Sequence, residues 1–285
     1  MQDDTSGRAQ GSQHSQPSPE SPEQAPPAPK INTDVPHSAR IWNYWLGGVD
    51  NYEVDRVAGE EYKEVFPEIS FLARTSRHFL ARAVRFLAGE ADMRQFLDVG
   101  TGLPTVDNTH EVAQRVAPES RIVYVDNDPL VLAHARALLT STSEGSTTYL
   151  DADLHRPEQI VARARKVLDF DRPVALMLMG ITGHIVDAGE ARSIVRTLVD
   201  ALPSGSYFTL YDFTSDNPVL NQAQTGYDDT GAVPYVLRSH DHISSYFEGL
   251  EVVEPGIVTL RQWRPEIEAP DAKDDPTLCA VARKP

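Results

Sequence analysis

The sequence predicts an α/β protein built on a doubly wound, mostly parallel sheet of seven strands that ends in an antiparallel hairpin. Three observations predict it. From residue 95 onward short apolar runs alternate with helical patterns, and strands interleaved with helices form βαβ units in a parallel sheet. The run "QFLDVGTGLPT" (95–105) reads as a strand, a tight glycine turn and a helix start. The last two strand candidates are joined by a loop without a helical pattern, which leaves them antiparallel.

Residues 1 to about 30 are rich in Gln, Ser, Pro, Glu and Gly, and "PSPESPEQAPPAPK" holds nothing that could bury a core. This tail is expected to be disordered. Composition changes at "DVPHSARIWNYWLGGVDNYEVDR" (34–56), where aromatics, glycines and charges arrive together. Paired glycines are poor helix formers, so "LGGVDN" should break a helix there. In "ISFLARTSRHFLARAVRFLAGE" (69–90), Phe71, Leu72, Phe79, Leu80, Ala83 and Leu87 recur at three-to-four spacing and give an amphipathic helix that Gly89 ends. The strand candidates that follow are 95–99, 121–126, 147–151, 173–179, 206–212, 251–259 and 277–283. Helical patterns fall at about 105–117, 129–140, 157–168, 188–202 and 239–247. The chain thus divides into a tail (1–30), an N-terminal helical lid segment (31–90) and a ligand-binding α/β domain (91–285).

Bulk properties exclude several partners. A formal charge of −16 repels phosphate backbones, so a nucleic-acid partner is not expected. The basic run "RARK" (163–166) reads as the solvated face of a helix. The single cysteine, Cys279, lies in the apolar run "TLCAVAR"; it excludes an internal disulfide and a Cys-rich zinc site and reads as a small buried hydrophobe. No window approaches eighteen apolar residues and no signal architecture opens the chain, so a cytoplasmic protein without membrane attachment is expected.

In a doubly wound sheet, ligands bind at the carboxyl ends of the strands. The glycines of "DVGTGLPT" let backbone approach a ligand, and a helix N-terminus behind them would offer free N–H groups. A dinucleotide would want G-x-G-x-x-G, but Thr105 stands in place of the third glycine. S-adenosylmethionine (SAM) has no pyrophosphate, and its sites usually carry an acidic residue before the glycines, here Asp98, ahead of Gly100 and Gly102. Pro104 is expected in the first turn of the next helix, where it removes a donor that a pyrophosphate would want. Asp126, 24 positions after Gly102, ends the second strand beside Asn127 and is placed to accept the ribose hydroxyls of an adenosine. Asp128-Pro129 reads as an N-cap followed by the first helical residue. Asp153 and Leu154 follow the third strand, where an acid meets the adenine amine and an apolar residue meets its ring; capping the next helix is the alternative for Asp153.

These residues resemble a known group. "FLDVGTGLPT", "HEVAQRVAP", "RIVYVDNDPLVLAHARALL" and "PHSARIWNYWLGGVDNYEVDR" are similar to the actinobacterial S-adenosyl methyltransferase family, formerly domain of unknown function 574, from about residue 34 to the C-terminus. The resemblance implies a Rossmann-like class I SAM-dependent methyltransferase fold and SAM as cofactor, without defining an acceptor. In one respect the chain departs from it: relatives often carry Ser-His at the end of the strand where Tyr211-Asp212 stands here.

SAM brings an activated methyl group, so an enzyme needs only to orient the acceptor and, for some acceptors, to remove a proton. The acceptor is expected beyond the fourth and fifth strands. Met179 and Gly180 should line the cofactor, His184 is the best base candidate, and Tyr211 and Asp212 are placed to shape the pocket. "SHDHI" (239–243) reads as a helix N-terminus rather than a metal cluster, because adjacent residues point in different directions. Arg40, Tyr44 and Asn51, with Asn43, are expected to cover the cofactor as a lid. The leading reading is a methyltransferase for a small-molecule acceptor. The alternatives are a non-catalytic SAM-binding regulator and an NAD-dependent oxidoreductase. Oligomeric state has no signal in the sequence.

Overall fold

The computed structural model describes residues 31–138, 141–266 and 275–285. The tail expected to be disordered, and the last two residues of the helical pattern at 129–140, lie outside the described residues. Seven strands form one sheet: β1 (Gln95–Val99), β2 (Arg121–Asp126), β3 (Ser146–Asp151), β4 (Ala175–Met179), β5 (Tyr207–Phe213), β6 (Glu251–Val252) and β7 (Thr277–Arg283). Their order is β3-β2-β1-β4-β5-β7-β6. The first five are parallel, and β7 runs antiparallel between β5 and β6. The chain winds outward from β1 to β3 and then returns to β4, so the topological switch point lies between β1 and β4.

The β6 run is much shorter than the predicted 251–259. Pro255 lacks an N–H for the ladder and Gly256 turns the chain away, so that only Val258 returns, in a single bridge to Cys279. Cys279 is fully buried on β7, and burial raises its thiol pKa well above the ordinary value.

The helices are α1 (Ser38–Trp45), α2 (Glu53–Val65), α3 (Ile69–Gly89), α4 (Thr109–Val116), α5 (Pro129–Leu138), α6 (Pro157–Ala164), α7 (Ala188–Asp200), α8 (Pro218–Asp228) and α9 (His240–Ser245), with a 3₁₀ turn at Thr182–His184. α4 starts later than the predicted residue 105: its N-terminus is set by a capping box between Asn108 and Glu111. α8 is an addition to the predicted set. Its sequence is polar, but Asn217 accepts hydrogen bonds from Val219 N and Leu220 N at 3.0 Å, and Pro218 takes the first helical position. Asp128 caps α5 through Leu130 N at 2.8 Å, as predicted. Ser239 caps α9 at "SHDHI", where His242 N donates to its Oγ.

Side chains alternate along the strands, and both faces of the sheet are covered, which is why the strands read as nearly continuous apolar runs. Phe96, Tyr124, Met177, Phe213 and Val281 meet α1–α4 and α8 on one face. Leu97, Val123, Leu176, Leu210 and Ala280 meet α6, α7 and α9 on the other.

The break between α1 and α2 is built around two buried polar side chains. A Cβ on Gly48 would lie 2.4 Å from Asn43 Nδ2, so only glycine lets the chain pass there. Asn43 Oδ1 then accepts from Asp50 N at 3.0 Å and from Asn51 Nδ2 at 2.9 Å. Beside it, the fully buried Asp55 accepts from Arg40 Nε at 3.0 Å, His37 N at 2.9 Å and Tyr52 N at 2.8 Å. Removing one member of a buried ion pair strands the other in low dielectric. Arg40→Met is therefore expected to lower the unfolding free energy by about 3–5 kcal/mol in urea denaturation; a loss well under about 1 kcal/mol, the scale of a surface pair, would contradict this account of the corner.

Candidate active site

One cavity opens at the carboxyl ends of β1 to β5, and α1 roofs it. Asp98, Gly100, Gly102, Asp126, Asn127, Asp153, Leu154, Met179, Gly180, His184 and Tyr211 all line it. Residues between 98 and 211 thus converge from five strand ends, as the topology requires. Pro104, Arg40, Tyr44, Asn51 and Asp212 are not among the lining residues.

The physical reason differs for each of these five. Pro104 sits in an irregular loop, five residues before α4 begins, and does not occupy a helix's first turn as expected. Arg40 turns inward to Asp55 and to the carbonyls of Asn32 and Val35. The Tyr44 hydroxyl donates to Glu60, and its ring carries Lys63, away from the cavity. Asn51 acts through Asn43, which does line the cavity. Asp212 lies behind the wall, where Thr182 and Tyr235 hydroxyls and Phe213 N donate to it.

At the polar end the glycine loop is tied down by its own N–H groups. Gly100 N donates to Val125 O at 2.8 Å, and Gly102 N donates to Asp126 Oδ2 at 2.8 Å. Both glycines have positive φ, +76° and +67°, which the turn needs. A Cβ on Gly100 would strike Ile181 at 2.4 Å, whereas Gly102 faces open space. The Gly100 and Gly102 amides are thus engaged within the protein, the α4 N-terminus is capped by its own side chains, and Pro104 has no N–H, so none of these offers a donor to a pyrophosphate.

Asp126 accepts two further backbone hydrogen bonds, from Asn127 N at 2.9 Å and Asp128 N at 3.0 Å. Asp153 lines the cavity, and its Oδ1 accepts from His155 N at 2.9 Å in a turn ahead of α6; it does not cap that helix, whose N-cap is Arg156. Asp98 is 3 % exposed and accepts from Thr109 Oγ1 at 2.6 Å. Burial raises its pKa to about 6, against the opposing pull of Thr109 and of the Arg77 charge.

Arg77, on α3, also lines the cavity. One of its terminal nitrogens, Nη2, donates to Asp107 O at 2.9 Å and Val106 O at 3.2 Å, while the buried Nε has no partner among the described residues. An unpaired buried donor is costly and marks a place for an acceptor. Nothing in the local sequence marks Arg77, because it sits mid-helix among other arginines.

The other end of the cavity is aromatic. Trp42 and Trp45 from α1, Tyr62 from α2, Phe213 from β5, Tyr227 from α8 and Tyr235 from the following loop line it. His184 stands between the two ends. It is half-buried, its Nδ1 lies 2.9 Å from Pro234 O, and burial lowers its pKa. Only a protonated Nδ1 can bond a carbonyl, so the neutral ring carries its lone pair on Nε2.

This is the strand order and site placement of a Rossmann-like SAM-dependent methyltransferase. The S-adenosyl methyltransferase family model matches residues 24–285, and the chain belongs to that family. A crystal structure of a DUF574 family protein from Streptomyces avermitilis MA-4680 is 43 % identical, with a TM-score of 0.86 over 90 % of this chain and 100 % of that one. A protein from Thermobifida fusca YX assigned as a methyltransferase is 36 % identical, with a TM-score of 0.83 over 90 % of this chain and 98 % of that one. No curated protein sequence matches the chain. Among the described residues, no helix is long and apolar enough to cross a membrane.

The buried Asp98 makes a pH-dependent contribution. Its pKa is about 6 folded against an ordinary 3.8, so between those values the folded chain binds more protons than the unfolded one. Stability from this group therefore falls as pH rises through that window, by about 3 kcal/mol in all at roughly 1.4 kcal/mol per unit. Asp98→Asn is expected to match the parent in thermal unfolding near pH 4 and to exceed it at pH 7. A variant less stable than the parent at pH 7 would show that the ionised carboxylate stabilises the fold.

Proposed function

We propose that the polar end of the cavity holds SAM, that the aromatic end takes a small-molecule acceptor, and that His184 is the proton acceptor. One juxtaposition carries this reading: three carboxylates and the Arg77 side chain line one end of a cavity whose other end is aromatic. The residues fit the cofactor group by group. Asp153 and Leu154 suit the adenine amine and ring, Asp126 the ribose hydroxyls, and the open space at Gly102 the body of the molecule. The Asp98 carboxylate suits the methionine ammonium, and the Arg77 guanidinium suits the methionine carboxylate.

When bound, SAM supplies a methyl group on a sulfonium, whose carbon–sulfur bond breaks with its electron pair left on sulfur. The protein's residues do the rest. Asp98 and Arg77 fix the amino-acid end by opposite charges, α1 excludes water, and His184 Nε2 takes the proton that the acceptor releases. The lowered pKa of His184 keeps it neutral and able to accept that proton at neutral pH. Tyr211, at the fifth strand end, shapes the wall, and burial raises its pKa to about 12, so its hydroxyl stays protonated; Asp212 lies behind the wall with its oxygens engaged by Thr182, Tyr235 and Phe213 N, out of reach of an acceptor. The buried single cysteine suits a reducing, cytosolic setting.

Calorimetric titration tests the cofactor assignment. SAM and S-adenosylhomocysteine are expected to bind and NAD is not; a folded protein that binds neither sulfur ligand refutes it. Arg77→Met is expected to weaken S-adenosylhomocysteine by at least about tenfold, the scale of a charged hydrogen bond. The same variant should leave 5′-methylthioadenosine, which lacks the amino acid, unchanged. Equal losses for both ligands would remove Arg77 from the carboxylate.

A further inference from the structure

The aromatic end of the cavity carries more information than an apolar wall. Its rings form one continuous chain of edge-on and tilted contacts that leads to His184. Tyr227 meets Tyr62 at 6.5 Å, Tyr62 meets Trp45 at 5.0 Å and Trp45 meets Trp42 at 5.6 Å. Trp42 meets Phe213 at 6.0 Å, Phe213 meets Tyr235 at 6.3 Å, and Tyr235 meets the His184 ring at 5.0 Å. Such spacings are those of mutually stabilising aromatic pairs, which hold the rings in fixed orientations.

The polar tips of four of these rings are already engaged by the protein. Trp45 Nε1 donates to Gly59 O at 3.1 Å, and the Tyr227 hydroxyl donates to Val233 O at 3.1 Å. The Tyr62 hydroxyl reaches Gln224 Oε1 at 3.5 Å, and the Tyr235 hydroxyl donates to Asp212. Burial, and after it the neighbouring Asp212, pushes the Tyr235 pKa well up, so that hydroxyl stays a neutral donor. What these four rings offer a ligand is therefore faces and edges.

Charge is segregated in the same way. The charged side chains among the described lining residues, Arg77, Asp98, Asp126 and Asp153, come from α3 and the ends of β1, β2 and β3. The elements that supply the ring chain contribute no Lys, Arg, Asp or Glu to the lining. A charged acceptor would lose its hydration there without gaining an ion partner. An alkylamine would enter as a cation met by ring faces alone, with no carboxylate to offset its desolvation, and a carboxylate would enter with no cation. Two imidazoles at this end line the cavity: His37 Nδ1 is engaged by Asp128 and Ala39 N, and His184 Nδ1 is committed to Pro234 O, so that Nε2 of His184, the ring in contact with Tyr235, is the nitrogen at the end of the ring chain.

We propose that the acceptor is an uncharged, planar aromatic molecule bearing a weakly acidic O–H, seated among these rings with that O–H turned to Nε2 of His184. The assignment rests on the reading of the polar end as the SAM site. Methyl transfer to such an acceptor forms one oxygen–carbon bond, leaves the carbon–sulfur electron pair on sulfur, and releases one proton, which passes to His184. A lone imidazole is matched to this task, because a phenolic O–H is acidic enough for it and an alkyl alcohol is not.

The test uses three probes that share one naphthalene ring: 2-naphthol, 2-naphthoate and 2-naphthylmethylammonium. Each is titrated into the full chain at pH 7, with and without saturating S-adenosylhomocysteine, by calorimetry and by quenching of tryptophan fluorescence. The expected result is that 2-naphthol quenches and binds at least about tenfold more tightly than either ion, the cost of stranding a charge. Trp42→Ala should weaken 2-naphthol at least about tenfold, the scale of a lost aromatic contact with its buried area, while S-adenosylhomocysteine affinity holds and reports an intact fold. If that truncation unfolds the chain, the wild-type probe series decides alone. Either ion binding as tightly as 2-naphthol, or 2-naphthol failing to bind protein that binds S-adenosylhomocysteine, overturns the proposal. Failure of S-adenosylhomocysteine to bind overturns the cofactor reading instead, and the series without it then decides the nature of the chamber.

Discussion

The Asp126 carboxylate is the contact on which the site's geometry depends. It sits where β2 ends and takes three backbone hydrogen bonds, from Gly102, Asn127 and Asp128. One carboxylate thereby fixes the glycine loop after β1 and the entry to α5, which Asp128 then caps. The arrangement works because burial makes the alternatives expensive: an ionised group at this depth must be met by donors, and here the chain's own amides meet it. The consequence is chemical as well as structural. Amides spent on Asp126 and Val125 are not available to a phosphate, so the loop presents carboxylates and open space instead of an anion cradle.

The rest of the cavity extends this logic of separation. Charges collect at the ends of β1 to β3, where Asp98 is held by Thr109 and opposed by the nearby Arg77. Aromatic rings collect under α1 and beside α8, with Asp212 retained behind them as an acceptor for Thr182 and Tyr235. His184 stands at the boundary. A ligand that is charged at one end and apolar at its reacting partner would meet matching surroundings along its whole length, which is how binding energy positions two reactants. Ionised carboxylates so deeply buried cost stability, and the fold carries that cost where its chemistry lies.

Much of the frame was legible in the sequence, because parallel strands buried on both faces write continuous apolar runs and each run here ends in a polar or glycine residue. Asp98, Gly102, Asp126, Asp153 and Met179 were found in that way, and they meet in one cavity. The chamber was not legible. Its rings come from α1, α2, β5, α8 and a loop, and no spacing along the chain connects Trp42 to Tyr235. α8 itself hides behind a polar sequence, although Asn217-Pro218 is the same start signal that was read at Asp128-Pro129. Arg40 and Tyr44 stand in a segment that does roof the cavity, but helical phase turns them toward Asp55 and Glu60 and turns Ile41, Trp42 and Trp45 inward. Pro104 misled because glycine loops of this type commonly run straight into a helix, whereas here Asn108 and Glu111 set the start of α4.

The measurement that tests the central claim most directly is a crystal structure of the protein with S-adenosylhomocysteine bound. The polarity of the cavity predicts adenine beside Asp153 and Leu154, ribose at Asp126, the amino acid between Asp98 and Arg77, and sulfur turned toward His184 and the aromatic chamber. A ligand bound in the reverse sense, with adenine among the rings of Trp42 and Phe213, would contradict it, because the carboxylates at the strand ends would then have no role in holding the cofactor.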